Sequence, residues 1–253
     1  MQLSLLALPN IPEVMPGDDV GQLICEALIS AEITPTPHDI IAIAQKIISK
    51  AENRYAYLDE VEPSEHAQQL ATETNKDPRL VQLIVDEMDE VSRKRQGVLV
   101  VRHRLGFVSA NAGIDRSNVQ QNARGERVLL LPVDPDGSAE KIRQTIHARF
   151  GVDLGIIITD SHGRPHRSGT IGVAIGVAGM PAILDKRGTE DRYGFVLKHT
   201  DIGVADEIAA ASGLLMGQAA ESTPIILIRG LTLPAANGRA SDIYRPKQFD
   251  LYR

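Results

Sequence analysis

Tryptophan is absent from this 253-residue chain, and aromatic residues make up only 4% of it. Its core must therefore be built from aliphatic side chains. Cysteine occurs once, at Cys25, so no intrachain disulfide can form and a cysteine-based zinc site is excluded. Cys25 lies in the apolar-periodic run Leu23-Ile-Cys-Glu-Ala-Leu28, which reads it as a buried small hydrophobe rather than a nucleophile. No apolar run approaches the length of a membrane span, and the start Met1-Gln-Leu-Ser-Leu-Leu6 lacks a basic leader. The expectation is a cytoplasmic protein without membrane association. Positive charge is not in surplus either. A formal net charge of −6 argues against a general nucleic-acid binder, although a local Arg and Lys cluster can still hold an anionic substrate. Neither a G-x-x-x-x-G-K-[ST] loop nor a G-x-G-x-x-G fingerprint occurs, and the run Gly172-Val-Ala-Ile-Gly176-Val-Ala-Gly179 reads instead as close element packing.

Hydrophobic residues at 43% and charged residues at 24% are ordinary for a globular protein of one large domain or two small ones. Strand and helix patterns alternate, which predicts a mixed α/β (α+β) architecture with mixed sheets. Residues 2–8 read as a strand. Pro9, Pro12 and Pro16 then impose a rigid extended loop, read as a strand-to-helix connector or as the stiff edge of a pocket. Asp18 or Asp19 caps a helix over about 19–30. A strand over 40–44 leads into Gln45-Lys-Ile-Ile-Ser-Lys50, whose lysines either meet phosphates or form a solvated face.

Helices are predicted over 64–74 and 79–95. The second starts at Asp77-Pro78 and carries an apolar stripe through Val91, with Arg93-Lys-Arg95 as favourable charge at its C-terminus. Two strands follow at 98–101 and 105–109, and another at 128–132 after a polar, mobile stretch. A helix from about 138 to Phe150 is capped by Asp136 or Ser138. A helix opening at Ala205 and a strand over 224–228 complete the regular elements. Residues 234–253 are expected to be poorly structured, with Ile243-Tyr-Arg-Pro246 as an anchor.

Chemistry concentrates in Gly155-Ile-Ile-Ile-Thr-Asp-Ser-His-Gly-Arg-Pro-His-Arg-Ser-Gly169. A short buried strand over 156–158 ends at Asp160, Ser161, His162, Arg164, His166 and Arg167. Open α/β sheets place ligands at such strand ends. A solvated turn is served equally well by these residues alone. A second tight segment, Asn111-Ala-Gly-Ile-Asp115-Arg-Ser-Asn118, offers oxygens from Asp115 and Asn118 beside small residues. Two carboxylates at two strand ends suit Mg²⁺ or Mn²⁺, which bind through one or two carboxylates plus substrate phosphates. Lys50, Arg164 and Arg167 are the cations that would meet those phosphates. These residues alone point to a metal-dependent enzyme acting on a phosphorylated substrate.

The combination Asn111-Ala-Gly-Ile-Asp115-x-Ser-Asn118, Leu131-Pro-x-Asp134-Pro-Asp-Gly-Ser-Ala139, Ile158-Thr-Asp160-Ser-x-Gly-Arg164, Val204-Ala-Asp-Glu-Ile-Ala209 and Leu215-Met-Gly217 resembles the coenzyme F420-0:L-glutamate ligase family. Pro16-Gly-Asp-Asp19 and Ile48-Ser-Lys-Ala-Glu52 match as well, so the likeness runs through nearly the whole chain in order. The resemblance implies a GTP-dependent ligase that adds L-glutamate, and then γ-linked glutamates, to the deazaflavin F420-0, releasing GDP and phosphate. It implies one ligase domain over residues 1–253, in an unusual two-lobed fold of interleaved lobes that is neither P-loop nor Rossmann. It implies two divalent ions, Mg²⁺ or Mn²⁺, together with K⁺, and a homodimer.

By the family pattern Asp115, Asp160, Ser161 and Gln218 lie at metal. Ile11, Pro12, Glu13, Val14, Gln45, Lys46, Lys50, Asn118 and the segment Leu214, Leu215, Met216, Gly217, Gln218, Ala219, Ala220 and Glu221 surround GTP. Asp115, Asp160, Lys50 and Arg164 are the candidate catalytic residues. Glu also occurs in the family at the position of Gln218, and Ser161 stands where some members have Thr. Some members carry a fused C-terminal flavin-binding domain; with the chain stopping at Arg253, that second activity is expected to be absent. The rival readings are a metal-dependent phosphatase or nucleotide hydrolase, and a non-catalytic nucleotide-binding subunit.

Overall fold

A computed structural model describes residues 2–250. Five strands form its principal sheet: β1 (Ser4–Ala7), β2 (Ile40–Ala44), then, beyond smaller elements of the middle region, β8 (Gly155–Arg164), β9 (Arg167–Ala178) and β12 (Ile225–Arg229). Their spatial order is β1-β12-β2-β8-β9. Only β2 and β8 run parallel; every other neighbouring pair in this sheet is antiparallel. The sheet is therefore mixed, within the mixed α/β architecture that the strand and helix alternation predicts.

Helices α1 (Val20–Ser30) and α5 (Pro135–Phe150) pack together on one face, and α6 (Val204–Met216) covers the other. Alternation along the strands feeds both sides. Ile41, Ile43, Ile156, Ile158, Ile225 and Leu227 join the α1 and α5 side. Ile40, Ala42, Ile157, Ile226 and Ile228 join the α6 side. Each such side chain contributes about 1.5–3 kcal/mol when fully buried, so the aliphatic runs hold the sheet without aromatic bulk. Glycine brings the layers close. A Cβ on Gly172 would lie 2.4 Å from the carbonyl oxygen of Ala209, and one on Gly176 would lie 2.6 Å from that of Pro135.

A third core, separate from these two, is built from residues between Leu58 and Val128. It contains α3 (Glu65–Thr74) and α4 (Pro78–Glu87), capped by Ser64 and Asp77, and the antiparallel sheet of β4 (Met88–Arg95), β5 (Val98–His103) and β6 (Val108–Ala110). The remaining elements are short. Helix α2 (Gln45–Ala51) follows β2 directly, β3 (Tyr55–Tyr57) pairs with β7 (Arg127–Leu129), and β10 (Leu184–Asp185) pairs with β11 (Asp201–Ile202). No helix among the described residues is long and apolar enough to cross a membrane.

Four local expectations are corrected. The helix predicted over 79–95 ends at Glu87, and Met88–Arg95 is a strand. Glu87 is buried because Arg54, Arg104 and His103 converge on its carboxylate at 2.9, 3.1 and 3.3 Å. Arg93-Lys-Arg95 therefore closes a hairpin rather than a helix. The α5 cap is Asp134, which accepts from Gly137 N–H at 3.0 Å, whereas Asp136 turns inward to accept from Val177 and Ala240 N–H at 2.8 and 3.1 Å. Strand β8 does not stop at residue 158, because β9 pairs with it as far as Arg164. The C-terminal stretch holds two single 3₁₀ turns, Ala240–Ile243 and Lys247–Phe249. Tyr244 between them packs edge-on against Phe107 at 5.8 Å, which makes it the anchor expected there. Met1 and residues 251–253 of the predicted tail lie outside the described residues.

Candidate active site

The parallel pair β2 and β8 ends in register at Ala44 and Thr159. Beyond that pair the chains diverge. β2 passes straight into α2, and β8 shifts its register with β9 between Ile158 and Thr159. Such an irregularity re-aims the side chains that follow it. A cavity of about 740 Å³ opens at this edge. Its position, outside the carboxyl ends of adjacent parallel strands, is the usual one for ligands in α/β sheets.

Segments distant in sequence close the cavity. Ile11, Pro12, Glu13 and Val14 of the proline-rich loop form one edge, so this loop is more than a connector. Gln45, Lys46 and Lys50 project from α2. Asp160 and Ser161 come from β8, and Met216, Gly217, Gln218, Ala219 and Ala220 from the end of α6 and the turn after it. Gly217 takes φ +68° as that helix ends, and Glu221 folds back to accept from Ala219 N–H at 2.8 Å. Asn118 also lines the cavity and donates to the Ala219 carbonyl at 2.9 Å, which ties two loops together beside it.

Asp115 sits behind this lining. Its Oδ2 accepts from Gln45 Nε2 at 2.6 Å and lies 2.7 Å from Lys46 Nζ. Burial pushes its carboxyl above the ordinary carboxylate value; Lys46 opposes this, and the charge of nearby Asp160 adds to it. The backbone holds it equally firmly. Asp115 and Leu129 exchange N–H to O=C bonds of 2.9 Å in both directions. Asn111, Ala112 and Gly113, just before it, all adopt left-handed φ of 53°, 54° and 68°. Left-handed backbone at a β-carbon-bearing residue costs about 1–2 kcal/mol, and such strain is concentrated at sites that must hold one geometry.

Asp160 is nearly enclosed, and its Oδ2 lies 2.8 Å from His162 Nε2. Residues two apart on a strand share a face, which puts the imidazole beside the carboxylate. His162 is buried against Phe107, with ring centres 5.1 Å apart. Lys50, also buried, pairs with the more exposed Glu13 at 2.5 Å.

The other sequence-predicted residues fall elsewhere. Arg164 lies at the tip of the β8–β9 hairpin, where its guanidinium reaches the Gly169 carbonyl at 3.3 Å, and it does not line the cavity. His166 occupies the turn of that hairpin with φ +60°. Leu214 and Leu215 are exposed at 85% and 40%, on the outer side of the last turn of α6. Thr159, Gly172, Gly213, Gln120 and Thr223 line the cavity and were not singled out for it by sequence. Gly172 had a legible signal in its small-residue run, which here serves packing and the cavity wall together.

Among the described residues no group of three or more His, Cys, Asp or Glu side chains could hold a metal. The donor set fits a hard divalent ion that completes its shell elsewhere: two carboxylates near enough for their charges to interact, the Ser161 hydroxyl, and space for phosphate oxygens.

Comparison with known proteins agrees with the motif pattern. The family model described as F420-0:Gamma-glutamyl ligase matches residues 9–230. A protein of Methanothermobacter thermautotrophicus named Coenzyme F420:L-glutamate ligase is 44% identical over 255 residues, covering 100% of both chains. The proteins of that name from Methanopyrus kandleri and Archaeoglobus fulgidus are 42% and 39% identical, covering 99% and 100% of this chain and 98% and 97% of their own. The chain belongs to the F420-0:gamma-glutamyl ligase family.

Proposed function

We propose that this protein is a GTP-dependent ligase that joins L-glutamate to the deazaflavin F420-0 and then extends the product by γ-linked glutamates. The observation that carries the reading is a cavity of about 740 Å³ lined by Asp160, Lys46 and Lys50, with Asp115 behind its wall, paired with Lys46 and within the electrostatic reach of Asp160. The names of the relatives supply the acceptor and the amino acid. GTP as donor, K⁺, the homodimer and a cytoplasmic location belong to the same reading.

A carboxylate is a poor acyl donor because oxide is a poor leaving group. Transfer of the γ-phosphoryl group forms a phosphorus–oxygen bond to the acceptor carboxylate and breaks the one to GDP. The glutamate nitrogen then attacks the acyl carbon; a carbon–nitrogen bond forms and phosphate leaves with the carbon–oxygen electron pair. The surplus ammonium protons pass to solvent. In such transfers a protein mainly positions groups and offsets charge.

Gln45 and Lys46 fix the Oδ2 of Asp115, and His162 fixes the Oδ2 of Asp160, so each carboxylate has its Oδ1 to offer. Asp115, Asp160, Ser161 and Gln218 would hold Mg²⁺ or Mn²⁺, which when bound neutralise the phosphate oxygens and the incoming carboxylate. Lys50 is freed for phosphate when Glu13, at the cavity edge, releases it. Asn118 and the turn at Ala219 would frame the nucleotide.

The test is phosphate release from GTP with acceptor and Mn²⁺, with and without L-glutamate. Release that depends on both acceptor and glutamate supports the ligase. Release indifferent to glutamate assigns a nucleotide hydrolase instead.

A further inference from the structure

A second, smaller cavity of about 290 Å³ lies next to the first along the β8–β9 hairpin. Asp160 lines one cavity; His162, two residues along the same strand, lines the other, and their side chains touch at 2.8 Å. Gly172 and Val173 divide in the same way on β9. The walls of the second cavity combine an apolar strip with a set of opposed charges. Phe107 and Tyr244 supply the apolar surface, edge to face at 5.8 Å. Arg102 comes from β5, Arg245 from the C-terminal stretch and Asp206 from the first turn of α6; Asp250 completes the lining.

Three of these groups are short of partners. The Tyr244 hydroxyl is buried and makes no hydrogen bond among the described residues. Arg102 is engaged in no salt bridge or side-chain hydrogen bond among the described residues. Asp206 uses Oδ1 to accept from Ala174 N–H at 2.9 Å, while its other oxygen takes no such bond among the described residues.

We propose that this cavity receives the incoming L-glutamate, with its carboxylates on Arg102 and Arg245, its ammonium group toward Asp206 and its methylenes along Phe107 and Tyr244. The identity of the occupant rests on the ligase reading above. The charge set supports it independently. Two guanidiniums facing carboxylates suit a small ligand that bears both signs, and they suit a phosphate ester poorly, because the acids would repel it. The location places the amine beside the wall that carries Asp160, where the activated acceptor would arrive.

The experiment is steady-state kinetics on the full chain together with equilibrium dialysis of radiolabelled L-glutamate. The variants are Arg102→Met, Arg102→Lys, Asp206→Asn and Tyr244→Phe, each checked for an unchanged melting temperature. Arg102→Met is expected to raise the KM for L-glutamate about tenfold or more while leaving that for GTP within about twofold, as expected when a charge-assisted contact to one substrate is removed. Arg102→Lys is expected to recover part of the loss, and Asp206→Asn and Tyr244→Phe to weaken glutamate binding in dialysis. Unaltered glutamate binding in all four variants overturns the assignment, as does a KM change confined to GTP or the deazaflavin. A parent enzyme with no glutamate-dependent turnover contradicts the ligase reading itself, whereas normal parent turnover with indifferent variants contradicts only the pocket.

Discussion

His162 Nε2 lies 2.8 Å from Asp160 Oδ2, and that contact spans the wall between the two cavities. The carboxylate and the imidazole should fail in different ways. Removing a ligating carboxylate deprives the reaction of charge compensation, which costs about 10²–10³-fold in rate. Removing the group that orients it costs about 10–100-fold in metal affinity. Asp160→Asn is therefore expected to stay impaired at saturating Mn²⁺, and His162→Ala to recover as Mn²⁺ is raised. Titrating Mn²⁺ against activity separates them. Activity of Asp160→Asn equal to the parent at saturating metal would remove Asp160 from the site.

Asn118 combines a left-handed backbone, φ 55°, with a side-chain bond to the Ala219 carbonyl. Glycine accepts that backbone without strain, whereas alanine does not. Asn118→Gly should thus lose only the tie between the two loops. We expect its KM for GTP to rise by about fivefold at near-normal kcat, the signature of lost uniform binding. Asn118→Ala adds backbone strain of about 1–2 kcal/mol and is expected also to melt lower. Kinetics and thermal melts of the pair check both effects; identical behaviour of the two variants would deny the backbone a role.

Asp136 gives a pH test independent of the cavity. Burial holds its carboxyl above the usual carboxylate value, although Val177 and Ala240 N–H groups oppose this. The folded protein therefore holds this proton more tightly than the unfolded chain does. Its stabilising contribution is full below the unfolded value, 3.8, and is lost as pH rises through the higher folded value. Asp136→Asn can keep the Oδ1 acceptor for both backbone bonds while removing the buried charge. The variant is expected to melt above the parent at neutral pH, with the gap closing on acidification. A gap that widens as pH falls contradicts the assignment.

The sequence was most informative where one element decides its own surroundings. Asp77 before α4 with Pro78 as its first residue, Asp19 before α1 and the isoleucine runs of β2 and β8 each carry their cause locally. It was least informative where a partner decides. Met88-Asp-Glu-Val91 continues the apolar stripe of α4 equally well as a helix, and only pairing with β5 makes it a strand. The same holds for β8 beyond residue 158, which β9 extends. The proximity of Asp115 and Asp160 was legible as chemistry, because two carboxylates among polar residues demand compensation, although Asp160 lies within β8 and not at its end. The separation of Arg164 from the cavity was not, because sequence distance is silent about how far a hairpin projects. The second cavity was invisible for a related reason: Arg102, Asp206 and Arg245 come from three distant segments, and none stands out alone.

Ligation leaves its mark on the product. Incubating the protein with F420-0, L-glutamate, GTP and Mn²⁺, and following the deazaflavin by mass spectrometry, tests it most directly. A ladder of masses, each step one glutamate residue, is expected, and its loss is expected in Asp160→Asn. An unchanged deazaflavin mass with authentic acceptor and an intact, GTP-binding protein would contradict it.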